Sequence, residues 1–305
     1  MVEMTPAQIA QHLAKQLQEA DPGGERMALL FRETFDQAYD GQNTGRYRPQ
    51  DLSKTELAHI GSLVEINIRR QFTDLISDGI KMDYCIDEVE VDCKYSKNPF
   101  GWMIPLETVH NYAMLCHADE VKATFRVGFV YITDEILNKG GNRDKKRTIS
   151  LTGRESIQWA WFDHPFPKNV LLALKPDDAE FVMQEKSGQA RINNLFRTVQ
   201  NQVIPRGIIC TVAQQKDPMK RIRYNGGARS ILLPEGIIIL GDYSRHTRIA
   251  KDLGLPEPKN GGCMAVRVIE TTKTFNGPKT EIDNRYWRIA LPDDPHEDAP
   301  LIPEK

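Results

Sequence analysis

Two neighbouring segments with alternating polar and apolar residues constrain the fold of this chain more than any other feature. They cover residues 80–86 and 89–96, and only Asp87 and Glu88 separate them. A period of two is typical of a half-buried β-strand, and a two-residue connection is typical of a hairpin. The sequence therefore predicts an antiparallel hairpin in which Ile86 pairs with Val89.

This register brings two acidic side chains together. Counting back from the turn places Asp83 opposite Asp92, on the polar face that also carries Lys94. Opposed side chains on one face have Cβ atoms about 4.5–5.5 Å apart, so two carboxylates there repel each other. A hard divalent cation would offset the repulsion, and an ammonium group would stabilise charge that develops on a phosphate. Salt bridges across an exposed strand face are the alternative interpretation.

A helix before the hairpin supplies a third carboxylate. Residues 53–56 form a capping box, and apolar residues at helical spacing follow to about Phe72. Glu65 lies beside this apolar stripe, which makes it a candidate oxygen ligand for the same cation. Helices and strands mixed over residues 1–162 predict an α/β (α+β) fold.

These residues resemble the PD-(D/E)XK nuclease core, in which an aspartate precedes an acid-x-Lys element by a short interval. Asp83 is separated by eight residues from Asp92-Cys93-Lys94, and no proline stands beside Asp83. Longer strings resemble the NaeI-type restriction endonucleases and follow one order over about residues 25–300. These strings are residues 39–46, 63–67, 91–94, 188–191, 212–215, 226–231 and 235–241.

The resemblance implies a type IIE restriction endonuclease, a homodimer that uses Mg²⁺ to cut both strands of a specific palindrome in double-stranded DNA. The sequence does not reveal the recognition site, and GCCGGC, which the prototype of the family cuts, is an expectation by analogy alone. The resemblance places metal binding on Glu65, Asp83 and Asp92, and catalysis on these residues together with Lys94. Two alternatives stay open: a repair nuclease that cuts damaged DNA with the same core, and a non-catalytic DNA-binding regulator.

The charges of the chain are unevenly distributed. Residues 186–251 contain 12 Lys and Arg against 3 acidic residues, whereas residues 1–162 contain 19 against 24. The basic stretch indicates either a polyanionic partner or a solvated basic face. Prolines at 165 and 167 in a segment without periodicity favour a linker. We therefore predict a nuclease domain over 1–162, a linker over 163–168, and a second domain over 169–305 with a mobile tail from about residue 292.

The resemblance assigns the second half to a winged helix-turn-helix domain, like that of catabolite activator protein, that binds a second DNA duplex and activates the first site. From the residues alone, 207–215 suits a short helix or a strand equally well. Asp217-Pro218 is predicted to open a basic helix, strands at 230–233 and 237–240 to form the wing, and a later hairpin to turn at Asn276-Gly277. The candidate DNA-binding residues are Arg191, Gln214, Gln215, Lys220, Arg221, Arg223 and Arg229.

Composition excludes other classes. No apolar run approaches the roughly 18 residues of a membrane span, and the first residues lack a signal-peptide pattern, so we expect a cytoplasmic protein without a membrane partner. Five scattered cysteines without a C-x-x-C pair argue against disulfides and structural zinc.

Overall fold

The structure, a computed structural model, describes residues 4–303. Its helices are α1 (Pro6–Ala20), α2 (Glu25–Tyr39), α3 (Gly41–Thr44), α4 (Lys54–Gln71), α5 (Val170–Ala173), α6 (Pro176–Met183), α7 (Gly188–Thr198), α8 (Arg206–Ala213), α9 (Ala228–Ile231) and α10 (Ser244–Asp252). Its strands are β1 (Ser77–Asp78), β2 (Tyr84–Ile86), β3 (Val89–Ser96), β4 (Tyr112–Asp119), β5 (Thr124–Tyr131), β6 (Gln158–Pro165), β7 (Ile237–Gly241), β8 (Cys263–Thr271), β9 (Thr280–Ile282) and β10 (Arg285–Ile289).

The chain divides into two compact units. The first combines the residues up to Ala38 with 52–168, and the second combines 39–51 with the residues from Asn169 onward. Residues 39–51 therefore group with the second unit, although we had predicted them in the first. The cause is close packing, since a Cβ atom on Gly41 would lie 2.1 Å from the Thr211 hydroxyl oxygen in α8.

The first unit is built on a mixed sheet with strand order β1-β2-β3-β4-β5-β6. Strands β3 and β4 run parallel, and the other neighbours are antiparallel. Helix α1 packs against β5 and β6, and α4 packs against β3. Val64 and Ile68 of α4 are fully buried, as the apolar stripe predicts. The Ser53–Glu56 capping box that opens α4 is confirmed.

The predicted hairpin register is confirmed, but its first strand is shorter than predicted. Asp87 and Glu88 have φ of 48° and 64°, as a type I′ turn requires, and Ile86 pairs with Val89. Strand β2 begins at Tyr84, because residues 80–82 bend away and donate their amides to the Glu90 carboxylate at 2.7–3.0 Å. The Glu90 side chain thus accepts hydrogen bonds from residues 80–82 in place of a partner strand.

The second unit contains an antiparallel sheet with strand order β7-β8-β10-β9. Residues 206–213 form helix α8, which decides between the helix and the strand that the sequence left open. Side chains of α7 and α8 supply much of the local core, including Leu195 and Ile209, which are fully buried.

The predicted wing is wrong. Residues 228–231 form helix α9 and Leu233–Glu235 a 3-10 turn, so β7 pairs with the distant strand β8 instead. Pro234 has no amide proton for a strand ladder, which accounts for the interruption. The predicted basic helix is one 3-10 turn, Pro218–Arg221, capped by Asp217. A helix, basic helix and hairpin wing in this order are not found within residues 4–303.

Three smaller predictions also need correction. The later hairpin turns at Asp283-Asn284, with φ of 50° and 62°, rather than at Asn276-Gly277. Residues 163–165 of the predicted linker continue strand β6. The predicted mobile tail is packed, because Ile302 is buried and exchanges two hydrogen bonds with the Tyr224 hydroxyl at 2.8 and 3.0 Å. Across the described range, every helix is too short or too polar to span a membrane.

Candidate active site

Three of the four predicted catalytic side chains meet at the start of β2, beside the middle of β3. The Lys94 Nζ atom lies 2.5 Å from Asp92 Oδ1 and 3.8 Å from Asp83 Oδ2. Asp83 precedes β2, and its Oδ2 atom accepts a 2.8 Å hydrogen bond from the Cys93 amide. The hairpin register therefore places an aspartate pair around one ammonium group.

Asp92 is the most enclosed member of this group. Its side chain is 9% exposed, and its Oδ2 atom accepts a 2.5 Å hydrogen bond from the hydroxyl of Thr108, which is fully buried. Burial raises the pKa of Asp92, and the nearby Asp83 adds to the rise, although hydrogen bonds from Lys94 and Thr108 oppose it. The protein therefore holds a carboxylate in a place where its negative charge is poorly solvated.

Lys94 is held as a cation. Burial by itself lowers the pKa of Lys94, but the hydrogen bond from Lys94 to Asp92 and the charges of Asp92 and Asp83 outweigh it, so the net shift is upward. At neutral pH the side chain is thus an ammonium group, suited to donating hydrogen bonds and stabilising negative charge.

Glu65 is linked to this group through Arg69 rather than directly. Arg69 lies one turn further along α4, with its Nη2 atom 3.4 Å from Glu65 Oε1 and 2.9 Å from the Asp83 carbonyl oxygen. Tyr84 donates a 2.7 Å hydrogen bond to the Glu65 carbonyl oxygen, which ties α4 to β2. In the described part of the chain, no three Asp, Glu, His or Cys side chains form a metal-binding group.

Sequence reasoning missed Thr108 and Arg69. Thr108 ends a 3-10 helix, Leu106–Thr108, just before β4, and the parallel pairing of β3 with β4 brings it to Asp92. Its sequence neighbourhood carries no signal for this contact. Arg69 could have been found, because a residue four positions after Glu65 shares its helix face.

Glu90 lies on the same face of β3 as Asp92 and Lys94, but its role is structural. It accepts hydrogen bonds from three consecutive amides of residues 80–82, and these hydrogen bonds hold its pKa below the usual range. Glu90 therefore fixes the loop that leads into Asp83.

The seven candidate DNA-binding residues of the second unit have unequal surroundings. Arg191 and Arg229 are buried, and both donate to backbone carbonyl groups, so the structure assigns them to packing within the unit rather than to a DNA surface. Arg221 is half-buried and donates to Gln215 Oε1 at 2.5 Å. Gln214 is half-buried at the end of α8 with φ of 50°, whereas Lys220 and Arg223 are exposed.

The aspartate pair fits a hard cation. Mg²⁺ prefers oxygen ligands and is commonly held by one or two carboxylates, with water and substrate phosphates completing the coordination. Asp83 and Asp92 supply two carboxylates, and because burial raises the pKa of Asp92, a cation beside it would favour the ionised form.

Comparison with known proteins identifies the family. A family model described as restriction endonuclease NaeI matches residues 11–298. The type II restriction enzyme NaeI of Lentzea aerocolonigenes is 42% identical over 296 residues, which are 95% of this chain and 92% of that enzyme. The chain therefore belongs to the NaeI family of restriction endonucleases.

Proposed function

We propose that this enzyme, a type II site-specific deoxyribonuclease, uses Mg²⁺ to cleave both strands of double-stranded DNA. In this proposal Asp83, Asp92 and Lys94 form the active site. The observation that carries the proposal is the aspartate pair held around one ammonium, 2.5 and 3.8 Å from the Lys94 Nζ atom. Asp92 and Lys94 match the acid-x-Lys pattern of the nuclease core, and Asp83 matches the aspartate that precedes this pattern.

Each residue has a distinct part in the proposed reaction. Asp83 and Asp92 would hold the cation, which when bound supplies charge stabilisation at the scissile phosphate. Lys94, as a cation, donates hydrogen bonds to the attacking water or to a phosphate oxygen and stabilises the charge that develops there. Glu65 stays a proposed contributor, since Arg69 joins its carboxylate to the backbone of Asp83.

Digestion of a supercoiled plasmid tests this function. We expect discrete double-stranded fragments with Mg²⁺ and intact plasmid with EDTA, because the carboxylates need a cation before they can face a phosphate. Nicks confined to damaged plasmid would instead indicate a repair nuclease, and intact plasmid under both conditions would indicate a DNA-binding regulator.

Replacing Thr108 by Val should weaken cleavage without preventing folding. Val keeps the shape of the side chain but removes the hydroxyl that donates to Asp92. Since that hydrogen bond favours the ionised carboxylate, its loss raises the pKa of Asp92 further. We expect the Mg²⁺ concentration for half-maximal rate to rise roughly tenfold and the acid limb of the pH–rate profile to move to higher pH. Thr108→Ser, which retains the hydroxyl donor, is the matched control. If the acid limb does not move in the Val variant, the proposed effect of Thr108 on the pKa of Asp92 is wrong.

The proposed enzyme acts as a homodimer. Cutting both strands of a palindrome in one binding event requires two active sites related by a two-fold axis. Light scattering should therefore give a mass near twice that of one chain. A single-chain mass at micromolar concentration, together with double-strand cuts made in one event, would disprove the dimer.

We further propose that the second unit binds another DNA duplex and activates cleavage at the first site. This proposal is supported by the resemblance and by the excess of positive charge over residues 186–251, of which Lys220 and Arg223 are exposed.

A further inference from the structure

A basic loop in the first unit has no part in the proposed chemistry. Residues 139–146 contain four basic residues against the single acid Asp144, a net charge of +3. They form the tip of a longer segment, residues 137–149, whose ends pair through an antiparallel bridge between Leu137 and Ile149. We call residues 137–149 the basic arm. Its basic side chains are Lys139, Arg143, Lys145, Lys146 and Arg147.

The charge of the basic arm contrasts with that of its surroundings in the sequence. Residues 1–162 contain 19 Lys and Arg against 24 Asp and Glu, and leaving out residues 139–146, with 4 and 1, changes these counts to 15 and 23. A net negative charge repels the phosphates of DNA. The nuclease unit therefore needs local clusters of positive charge to hold a substrate duplex, and the basic arm is such a cluster.

The cations at the tip of the basic arm are available to a ligand. Lys139, Arg143 and Lys145 are exposed, and within residues 4–303 no carboxylate forms an ion pair with any of them. Asp144, the one acid of the tip, is also exposed and pairs with none of the three. Arg147 at the base differs, because its Nη2 atom lies 2.5 Å from Asp134 Oδ1. The three tip cations can therefore meet an anion that comes from outside the chain.

Hydrogen bonds fix the shape of the tip, and packing fixes its base. The Asn142 Oδ1 atom accepts hydrogen bonds from the amides of Asp144 and Lys146, at 3.0 and 2.9 Å. The Asn142 amide donates to the Lys146 carbonyl oxygen at 3.0 Å. Leu137 and Ile149 at the base are buried in one hydrophobic cluster with side chains of β4 and β5. The basic arm is thus presented by the central sheet of the first unit.

The base of the basic arm is joined to the active site through Ile104. Arg147 and Ile104 exchange two backbone hydrogen bonds, at 2.8 and 2.9 Å. Ile104 stands four residues before Thr108, whose hydroxyl donates to Asp92. Four residues span at most about 14 Å, and successive phosphates of one DNA strand rise by about 3.4 Å. The base of the arm therefore lies within the length of about four base pairs from the active site.

We propose that the basic arm binds the phosphate backbone of the substrate duplex beside the cut, through Lys139, Arg143 and Lys145. Contacts from lysine and arginine to phosphates hold a protein in position on DNA and carry no sequence information. The arm therefore tightens the binding of DNA to the cutting site, and the chemical step depends on the active site alone. This inference rests on the proposed cleavage of DNA, because the duplex it names is the one that is cut.

Two double variants of the full chain test the contact. Arg143→Gln/Lys145→Gln removes two exposed cations from the arm. The matched control, Lys122→Gln/Lys168→Gln, removes two exposed cations at the other end of the sheet, where β4 joins β5 and β6 ends. All four side chains are exposed, so both variants should fold as the wild type, which thermal unfolding checks.

Cleavage is measured under single-turnover conditions with Mg²⁺ over a range of enzyme concentrations, and the Kd of the same duplex is measured in EDTA. For the arm variant we expect the enzyme concentration for half-maximal cleavage and the Kd to rise roughly tenfold at low salt. The maximal rate should stay within about twofold of the wild type. The slope of log Kd against log salt should fall by about two, one for each lost phosphate contact. The control variant should behave as the wild type in every measurement.

The outcomes separate the arm from the proposed cleavage. Half-maximal concentrations and salt slopes that are equal for the arm variant and the wild type would disprove the contact and leave the arm as a solvated loop. A lower maximal rate at an unchanged half-maximal concentration would also overturn it, since the arm would then act on the chemical step. If the wild type binds duplex in EDTA but cuts none with Mg²⁺, the proposed cleavage fails, and the Kd values of the two variants still decide whether the arm contacts DNA.

Discussion

Asp92→Asn should reduce DNA cleavage by roughly 10⁴-fold or more. The substitution keeps the size of the side chain and an acceptor for Thr108, but it removes the negative charge that faces Lys94 and, in our proposal, holds the cation. Duplex binding without metal should persist or tighten, because a negative charge beside the phosphate is lost. Rates measured under single-turnover conditions, with binding measured in EDTA, separate the two effects.

Stability distinguishes this loss from misfolding. The pKa of Asp92 is higher in the folded protein than in the unfolded chain. The contribution of Asp92 to the free energy of unfolding is therefore fully present below the unfolded pKa and is lost as the pH rises through the folded pKa. The raised pKa of Lys94 has the opposite consequence, because this cation loses the negative charge of its partner in the Asn variant. At neutral pH without metal the two effects oppose each other, so the Asn variant should unfold at a temperature close to that of the wild type. Asp119→Asn, at the end of β4 in the same sheet, is the matched control and should cut normally. Cleavage at the wild-type rate by Asp92→Asn would remove Asp92 from the site.

The core of this site was predictable because a hairpin register follows from local rules. Alternation fixed which side chains share a face, and a two-residue turn fixed the pairing of Ile86 with Val89, so the meeting of Asp83 with Asp92 required no long-range information. Thr108 was not predictable in this way. It reaches Asp92 through a parallel strand pairing, which no short sequence pattern specifies.

The second unit was predicted less well, for a physical reason. A run such as Ile231-Leu232-Leu233 has the apolar character of a buried strand or a short buried helix, and periodicity alone does not separate the two. Basic residues were counted as surface charge, yet Arg191 and Arg229 donate to backbone carbonyl groups inside the unit. A charge count carries no information about which guanidinium groups the fold itself uses.

The segment after residue 292 shows the same limit of prediction from composition. Composition after residue 292 predicts mobility, since Pro and Asp are frequent there. Two hydrogen bonds between Tyr224 and Ile302, and the burial of Ile302, instead fix this segment against the second unit. One apolar side chain with a distant partner was enough to reverse the compositional expectation.

Added effector duplex should first accelerate and then inhibit cleavage of a poorly cut substrate. If the second unit binds a separate duplex and favours a cutting-competent state, the rate should rise by roughly 5- to 150-fold, the usual range for coupled sites. At higher concentration the same duplex competes at the active site, so the rate falls again. The rate of plasmid cleavage against duplex concentration measures both limbs.

Lys220→Gln/Arg223→Gln tests whether the second unit carries this effect. Both side chains are exposed, so their loss should flatten the rise, while the cleavage rate without effector and the Mg²⁺ requirement stay as in the wild type. The slope of log binding constant against log salt should decrease by about one for each lost phosphate contact. Lys273→Gln, an exposed lysine between β8 and β9, serves as the control and should retain the full rise. Activation needs a DNA site distinct from the one that cuts. Inhibition of the wild type at every duplex concentration would therefore mean that one kind of DNA site accounts for all binding. The basic residues of the second unit would then serve substrate binding.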